Sequence, residues 1–315
     1  MKRIVGTVIT VCVVLALLVL SVTLNEQSPT DAQWATLKIL VIVCGCSAAY
    51  CFIVGELTRN FSQIDKLWSL LPIAYTWIIA VKGGMNARLI AYALIVTAWG
   101  IRLTVNFARK GAYRLKFWTG TEDYRWSIVR QNPAFKHGIV WVLFDLLFIS
   151  VYQNLLVLAI CLPALVCMGS SASLGVWDIA AAVLAILFLA LETVADEYQW
   201  RFYQTKQKRL ADGKTLEDLP MPYRLGFNTR GPWSVMRHPN YLGEQGIWIS
   251  LYLFAVGAGA GVFNWTAIGP LLLILLFMGS STLGESISSG KYPLYKKYVQ
   301  QVCKYLPLRR FDPDR

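Results

Sequence analysis

Charged residues are scarce in this chain of 315 residues, since only 15% are Asp, Glu, Lys or Arg and 56% are hydrophobic. A soluble domain carries roughly 25% charged residues, so this deficit argues against a water-soluble protein. The mean hydropathy is +0.48. A membrane-spanning helix needs about 20 mostly apolar residues, and residues 4–24 and 245–284 contain no charge at all. An integral membrane protein is therefore predicted.

Several sequence patterns that carry catalysis or metal binding are also absent. The chain has only 2 histidines, His137 and His238, so a histidine-ligated metal site is not expected. Cys44 and Cys46 lack the second pair that would complete a zinc site. There is no nucleophile elbow, no P-loop and no Gly-x-Gly-x-x-Gly turn after a strand. Any chemistry must therefore come from other residues.

The apolar runs predict an all-α fold, a bundle of about eight transmembrane helices in one domain over residues 1–315. The predicted spans are residues 4–24, 36–57, 67–82, 88–107, 138–163, 176–199, 241–261 and 265–285. The span 67–82 is short and contains Pro72, so seven helices cross if it is tilted or re-entrant. The turn between the last two spans is expected near Gly259, Gly261 and Asn264.

The net charge of +12 is distributed unevenly along the chain. Segments 25–35, 83–87, 164–175 and 262–264 contain no Lys or Arg, whereas segments 58–66, 108–137, 200–240 and 286–315 hold most of them. Because basic loops stay in the cytoplasm, both termini and the basic loops are predicted to be cytoplasmic. None of these segments has a nucleic-acid-binding pattern, so membrane lipids are the expected partners and nucleic acid is not.

The basic segment 200–240 leads into the predicted seventh helix. Pro is favoured in the first turn of a helix, so Pro239 is expected to begin that helix, with Asn240 and Glu244 one turn apart on one face. A helix N-terminus carries free N–H groups and suits a phosphate. Two interpretations stay open at this point: a site for an anionic cofactor, or a loop that binds anionic lipid headgroups.

Ionisable residues inside predicted spans are costly and often functional. Arg102 lies in the fourth span and Asp145 in the fifth, while Glu192 and Asp196 share a face at the end of the sixth. The alternative is that they form ion pairs between helices, such as Arg102 with Asp145 or Asp196. The acidic cluster near the ends of helices six and seven is denser than structural pairing requires.

The string Arg237-His238-Pro239-Asn240-Tyr241-Leu242-Gly243-Glu244 resembles the signature of the steroid 5-alpha-reductase superfamily, which includes the sterol C-14 reductases. The similarity covers residues 64–310 and is firmest over the last 120. Other segments that resemble the superfamily, especially its little-characterised reductase-like branch, are 65–69 with Pro72, 99–104, 109–113, 122–126, 192–196 and 292–307.

This resemblance implies an NADPH-dependent reductase of a carbon–carbon double bond, typically an enone, in a steroid-like or other lipid substrate. It makes residues 1–57 accessory helices, residues 64–175 the substrate-side half and residues 176–310 the cofactor-binding half. Asn240 and Asp196 match residues that hold the nicotinamide nucleotide, and Glu192 falls where the steroid enzymes have Asn. The candidate cofactor-binding residues are Asn240, Glu244, Asp196, Glu192, Arg237, His238, Tyr241, Arg102 and Arg201.

The resemblance also implies a hydrogen-bond donor that activates the substrate carbonyl and stabilises the charge that develops as hydride arrives. The steroid enzymes use a Glu and a Tyr, and the nearest equivalents here are Asp65 and Trp99. Trp donates only through its indole N–H and delivers no proton, so Tyr124 or Tyr75 remain for that role. The candidate catalytic residues are Asp65, Trp99 and Tyr124.

Two other functions remain open on the sequence. Isoprenylcysteine-carboxyl methyltransferases, which use S-adenosylmethionine, share an Arg-His-Pro-x-Tyr-x-Gly element and a basic tail. They usually have a Glu-Glu pair near the end of the last span, where this chain has Glu285 followed by Ser286. Asn240 together with Glu244 favours the reductase. The third possibility is a non-catalytic, lipid-binding membrane protein.

Overall fold

The computed structural model describes residues 2–25 and 28–314, with only the backbone described over residues 2–6. Both chain termini, and Glu26 and Gln27 of the predicted 25–35 loop, lie outside the described residues. The described part is helical, with a single β-bridge between Met236 and Cys303, so the all-α prediction is confirmed. Its α-helices are α1 (Lys2–Thr23), α2 (Asp31–Thr58), α3 (Gln63–Leu67), α4 (Leu71–Lys82), α5 (Ala87–Ala108), α6 (Tyr124–Arg130), α7 (Gly138–Phe144), α8 (Gln153–Ala159), α9 (Leu162–Val166), α10 (Val176–Ala211), α11 (Pro239–Ala255), α12 (Ile268–Lys291) and α13 (Tyr295–Gln301).

Within the described residues, 5 helical runs are long and apolar enough to cross a membrane: Asp31–Thr58, Ala87–Ala108, Gly138–Val166, Val176–Ala211 and Trp265–Lys291. Shorter apolar helices cover Thr7–Thr23 and Leu71–Lys82. Since about 20 residues are needed to span the bilayer, the 17 residues of α11 fall just short. An integral membrane protein is supported, and the total of about eight crossing helices stays a prediction.

Local sequence explains several helix ends. The hydroxyl of Thr30 caps α2 by accepting from the backbone N–H of Gln33, whose side chain accepts from the Thr30 N–H in return. Asn86 caps α5 in the same way through the N–H of Leu89. Helix α11 begins at Pro239, which confirms that prediction.

Two segments depart from the α-helical period. In the run Gly138–Val166, the stretch Asp145–Tyr152 is π-helical, and a second π-helical stretch, Val256–Ala260, follows α11. The second stretch contains Gly259 at φ 94°, a left-handed conformation that glycine adopts without strain. The chain reverses after it, close to the predicted turn.

The chain divides into two compact units. The first unit contains Val8–Ala182 and Ile249–Leu273; the second unit contains Val183–Trp248 together with the segment that starts at Ile274. The division falls inside α10, α11 and α12. Each unit is described separately below.

A buried ion pair stabilises the first unit. Arg88 Nε lies 2.6 Å from Asp178 Oδ1, and the other guanidinium nitrogens donate to backbone carbonyls including those of Ser173 and Gly257. A buried pair repays its desolvation only when further hydrogen bonds satisfy the charged groups, and here they do. Elsewhere in this unit an aromatic and aliphatic cluster is formed by Cys51, Phe61, Ile64, Trp126, Trp141 and Ile149.

Aromatic residues dominate the core of the second unit. The buried cluster consists of Leu225, Phe227, Tyr292, Tyr295, Tyr298, Val299 and Val302. The hydroxyl of Tyr298 donates to the carbonyl of Trp233 at 2.5 Å. The loop after α10 and helix α13 therefore form an aromatic core beside the eight-residue string Arg237–Glu244, called the octapeptide below.

Candidate functional site

The first two residues of the octapeptide are anchored to the C-terminal part of the second unit. Arg237 Nε donates to Glu285 Oε1 at 2.8 Å, and its Nη1 donates to the carbonyls of Val299 and Val302. His238 Nε2 lies 3.0 Å from the same Glu285 oxygen. The backbone N–H of Arg237 also donates to the carbonyl of Cys303. These bonds fix the entry to α11 against α12 and the tail.

The imidazole of His238 is buried within this network. Burial lowers the pKa of His238 below its usual value, and Lys304 and Arg237 act in the same direction, while Glu285 opposes them. A neutral imidazole with its proton on Nε2 donates to Glu285, which is the tautomer this geometry favours. The ring of Tyr241 stacks on it with centroids 5.1 Å apart.

Asn240 and Asp196, which the sequence assigned to one nucleotide site, are hydrogen-bonded to each other. Asn240 Nδ2 donates to Asp196 Oδ1 at 3.2 Å, and Asn240 Oδ1 accepts from the backbone N–H of Tyr241. The first bond joins α10 to the first turn of α11. An amide and a carboxylate thus stand side by side at the first turn of α11.

Glycine allows α10 and α11 to approach closely behind this pair. A Cβ on Gly243 would lie 2.6 Å from the Cβ of Glu192, and one on Gly246 would lie 2.4 Å from the ring of Phe188. Glu192 is buried at this contact. The glycines of the octapeptide region therefore set the distance between the two helices that carry Asn240 and Asp196.

The polar face of α10 continues past Asp196. Glu192, Asp196 and Gln199 recur at a spacing of four and three residues, so they share one face of the helix. Gln199 Oε1 is buried and accepts no hydrogen bond within the described part of the chain. Gln199 was not predicted from the sequence as a site residue, although its spacing from Asp196 places both residues on one face of the helix. On α11, Glu244 is buried and accepts from Trp248 Nε1 at 3.1 Å.

The remaining predicted cofactor residues occupy different surroundings. Arg201 pairs with Glu197 at 2.6 Å on the surface, with 77% of its side chain exposed. Arg102 lies in α5 of the first unit. In the loop before α11, Asn228 Nδ2 is buried and donates no hydrogen bond to any described residue. Asn228 was also not predicted as a site residue, because nothing in the sequence singles it out.

In the half that the resemblance assigns to the substrate, Asp65 is held by residues from the 122–126 segment. Trp126 Nε1 donates to Asp65 Oδ2 at 2.9 Å, and Arg125 Nη2 lies 4.0 Å from Asp65 Oδ1. Burial raises the pKa of Asp65, and Arg125 and the Trp126 N–H partly oppose this rise. Neither partner was singled out individually from the sequence.

The other two candidate catalytic residues lie in contrasting positions. Trp99 is fully buried in α5, next to Gly100, where a Cβ would lie 2.6 Å from the carbonyl of Ser69. Tyr124 is the first residue of α6 and is 59% exposed. Tyr75, the other hydroxyl considered, is completely buried in α4.

The helical runs and the polar junction at α11 define a multi-span α-helical membrane protein. A family model described as "Protein of unknown function (DUF1295)" matches residues 51–302, and the chain belongs to this family. An uncharacterized protein of Schizosaccharomyces pombe is 37% identical over 266 residues, which cover 81% of this chain and 74% of the relative. No solved structure matches the chain. All the predicted site residues fall within the matched region.

Proposed function

We propose that this protein is an NADPH-dependent membrane reductase of a carbon–carbon double bond in a steroid-like or other lipid substrate. The observation that carries the proposal is the 3.2 Å hydrogen bond between Asn240 and Asp196. It joins two residues that are 44 positions apart in sequence and that the resemblance to the steroid 5-alpha-reductase superfamily assigns to one nucleotide.

The residues around this pair fit a nicotinamide nucleotide. Ribose hydroxyls and a carboxamide N–H need acceptors, which Asp196 Oδ1 and the unpartnered Gln199 Oε1 offer. A carboxamide oxygen needs a donor, and the loop before α11 contains one in the unpartnered amide of Asn228. Arg201, which the resemblance offers as a phosphate contact, lies on another face of α10, where it pairs with Glu197. When bound, NADPH supplies the hydride for the reduction.

The Asp65 cluster suits the substrate side of this reaction. Because burial raises its pKa, Asp65 is shifted towards the form that carries a proton. The Trp126 N–H occupies Oδ2, which leaves Oδ1 to carry the proton, with Arg125 Nη2 4.0 Å away. From there Asp65 donates to the carbonyl oxygen of an enone and stabilises the negative charge that develops on that oxygen.

Nucleotide binding tests the proposal directly. NADPH is expected to raise the melting temperature of the purified full-length protein, and Asn240→Ala is expected to abolish this rise because it removes the amide beside Asp196. Gln300→Ala is the matched control, since it deletes an exposed amide on α13. Stabilisation by S-adenosylmethionine in the absence of any NADPH effect would contradict the reductase and support the methyltransferase.

A further inference from the structure

A cavity of about 200 Å³ opens in the first unit, and its wall includes Trp126, which also donates to Asp65. It is lined by Phe61, Glu122, Trp126, Ser127, Arg130 and Gln131. Pockets for drug-sized molecules measure about 300–1,000 Å³, so this one holds a small polar group and excludes a sterol skeleton.

The cavity carries one residue of each charge sign, Arg130 and Glu122, which interact electrostatically but form no ion pair within the described residues. Arg130 makes no ion pair within the described residues; its guanidinium carbon lies 5.4 Å from the ring centroid of Phe61 and 5.3 Å from that of Trp141. Cation–π contacts at these distances leave guanidinium N–H groups without an acceptor, and these groups suit a phosphate. Glu122 accepts from the backbone N–H of Phe61 through Oε1, and Oε2 has no hydrogen-bond donor in the described chain.

The position of the cavity is that of a lipid headgroup. Phe61 follows directly on the end of α2 at Thr58, and Gln131 precedes the apolar run that starts at Gly138. Two candidate spans therefore end beside the cavity, which puts it at the boundary between hydrocarbon and water. The aromatic rings of Phe61 and Trp126 in its wall are the surfaces that attract quaternary ammonium groups.

We propose that this cavity binds the headgroup of a zwitterionic phospholipid, with the phosphate at Arg130 and the ammonium group at Glu122 and the aromatic wall. A ligand that carries both charges satisfies both side chains at once, which neither a simple anion nor a simple cation does. The residues of this site belong to the first unit, and the proposal does not depend on the reductase proposal.

The test is a titration of the purified full-length protein in a nonionic detergent, followed by native mass spectrometry. Diheptanoyl phosphatidylcholine is expected to bind at least about tenfold more tightly than diheptanoyl phosphatidylglycerol, which has the phosphate but no ammonium. Inorganic phosphate alone is expected not to compete. Equal binding of the two lipids, or competition by phosphate, would overturn the zwitterion site.

Variants separate the two ends of the headgroup. Arg130→Gln and Glu122→Gln are each expected to weaken phosphatidylcholine binding about tenfold, whereas Lys136→Gln and Glu217→Gln, which remove charges outside the cavity, leave it unchanged. If Arg130→Gln does not fold, Arg130→Lys takes its place. This variant keeps the positive charge but loses the planar guanidinium, and an intermediate affinity for phosphatidylcholine is expected. Unchanged binding in both Glu122→Gln and Arg130→Gln would refute the assignment. NADPH stabilisation, measured on the same variants, is expected to be unaffected.

Discussion

Glu285 is the residue on which the octapeptide depends most. One of its oxygens lies within hydrogen-bond distance of both Arg237 Nε and His238 Nε2, and all three side chains are about nine-tenths buried. Removing one partner of a buried ion pair leaves an uncompensated charge and costs about 3–5 kcal/mol. The junction before α11 thus depends on a carboxylate from α12.

Glu285→Gln is accordingly expected to lower the free energy of unfolding by several kcal/mol, because Arg237 loses its counter-charge. Thermal or denaturant unfolding of the purified protein measures this. Glu217→Gln, at an exposed loop position, is the matched control and is expected to change stability little. A loss no larger than that of the control would contradict the role assigned to Glu285.

His238 predicts a pH dependence. Its pKa in the folded protein lies below the ordinary value of 6.5, so the unfolded chain binds more protons than the folded one at mildly acidic pH. Stability contributed by His238 is therefore complete above pH 6.5 and is lost as the pH falls through the lower folded pKa. His238→Gln is expected to flatten the stability curve below pH 6.5 relative to the unsubstituted protein. An identical curve for both proteins would count against a buried neutral imidazole.

At the residue scale, the resemblance assigned Asn240 and Asp196 to one nucleotide, and the hydrogen bond between them is consistent with that assignment. The shared face of Glu192 and Asp196 followed from helical spacing. The partners of Arg237 could not be predicted from the sequence. Glu285 lies 48 positions away, and the other partners, the carbonyls of Val299 and Val302, are backbone atoms that every residue has. Contacts with backbone atoms of a distant segment depend on tertiary structure.

At the scale of elements, the packing of α10 against α11 is set by small residues. Gly243→Ala would place a Cβ 2.6 Å from Glu192 Cβ and 2.9 Å from the carbonyl of Phe188. Backbone atoms cannot move aside as the end of a flexible side chain can, so the helices must separate. Overpacking of this kind typically costs about 1–3 kcal/mol.

Gly243→Ala is therefore expected to destabilise the protein and to weaken stabilisation by NADPH, since separation of the helices lengthens the Asn240–Asp196 hydrogen bond. The matched control is Gly279→Ala in α12, where a Cβ meets nothing within 4 Å. That control is expected to be neutral or slightly stabilising, because Ala is favoured over Gly in a helix by about 1 kcal/mol. The melting temperatures of Gly243→Ala and Gly279→Ala, measured with and without NADPH, distinguish the two variants. Equal melting temperatures for both variants, with and without NADPH, would contradict the close packing of α10 against α11 at Gly243.

Helices themselves were well predicted, and their irregularities were not. The start of α11 at Pro239 and the reversal near Gly259 followed from the chemistry of proline and glycine. The π-helical stretch Asp145–Tyr152 could not be anticipated, because it lies within an uninterrupted apolar run whose hydropathy is insensitive to one extra residue per turn.

For the whole molecule, the charge distribution predicts which loops face the cytoplasm. In a cysteine-depleted chain, Lys214→Cys is expected to react with a membrane-impermeant maleimide from the cytoplasmic side, because segment 200–240 is basic. Ser171→Cys, in the uncharged segment 164–175, is expected to react only after the membrane is opened. Both positions are exposed, so accessibility on the wrong side would reverse the predicted orientation.

The β-bridge between Met236 and Cys303 and the bonds from Arg237 to the carbonyls of Val299 and Val302 have a consequence for biosynthesis. The entry to α11 is translated more than sixty residues before its partners. Until residues 285–304 have left the ribosome, Arg237 and His238 lack Glu285 and the backbone carbonyls that hold them in the folded protein. The junction is thus among the last parts of the molecule to form, and a nascent chain truncated before Glu285 would leave the Arg237 guanidinium without its counter-charge.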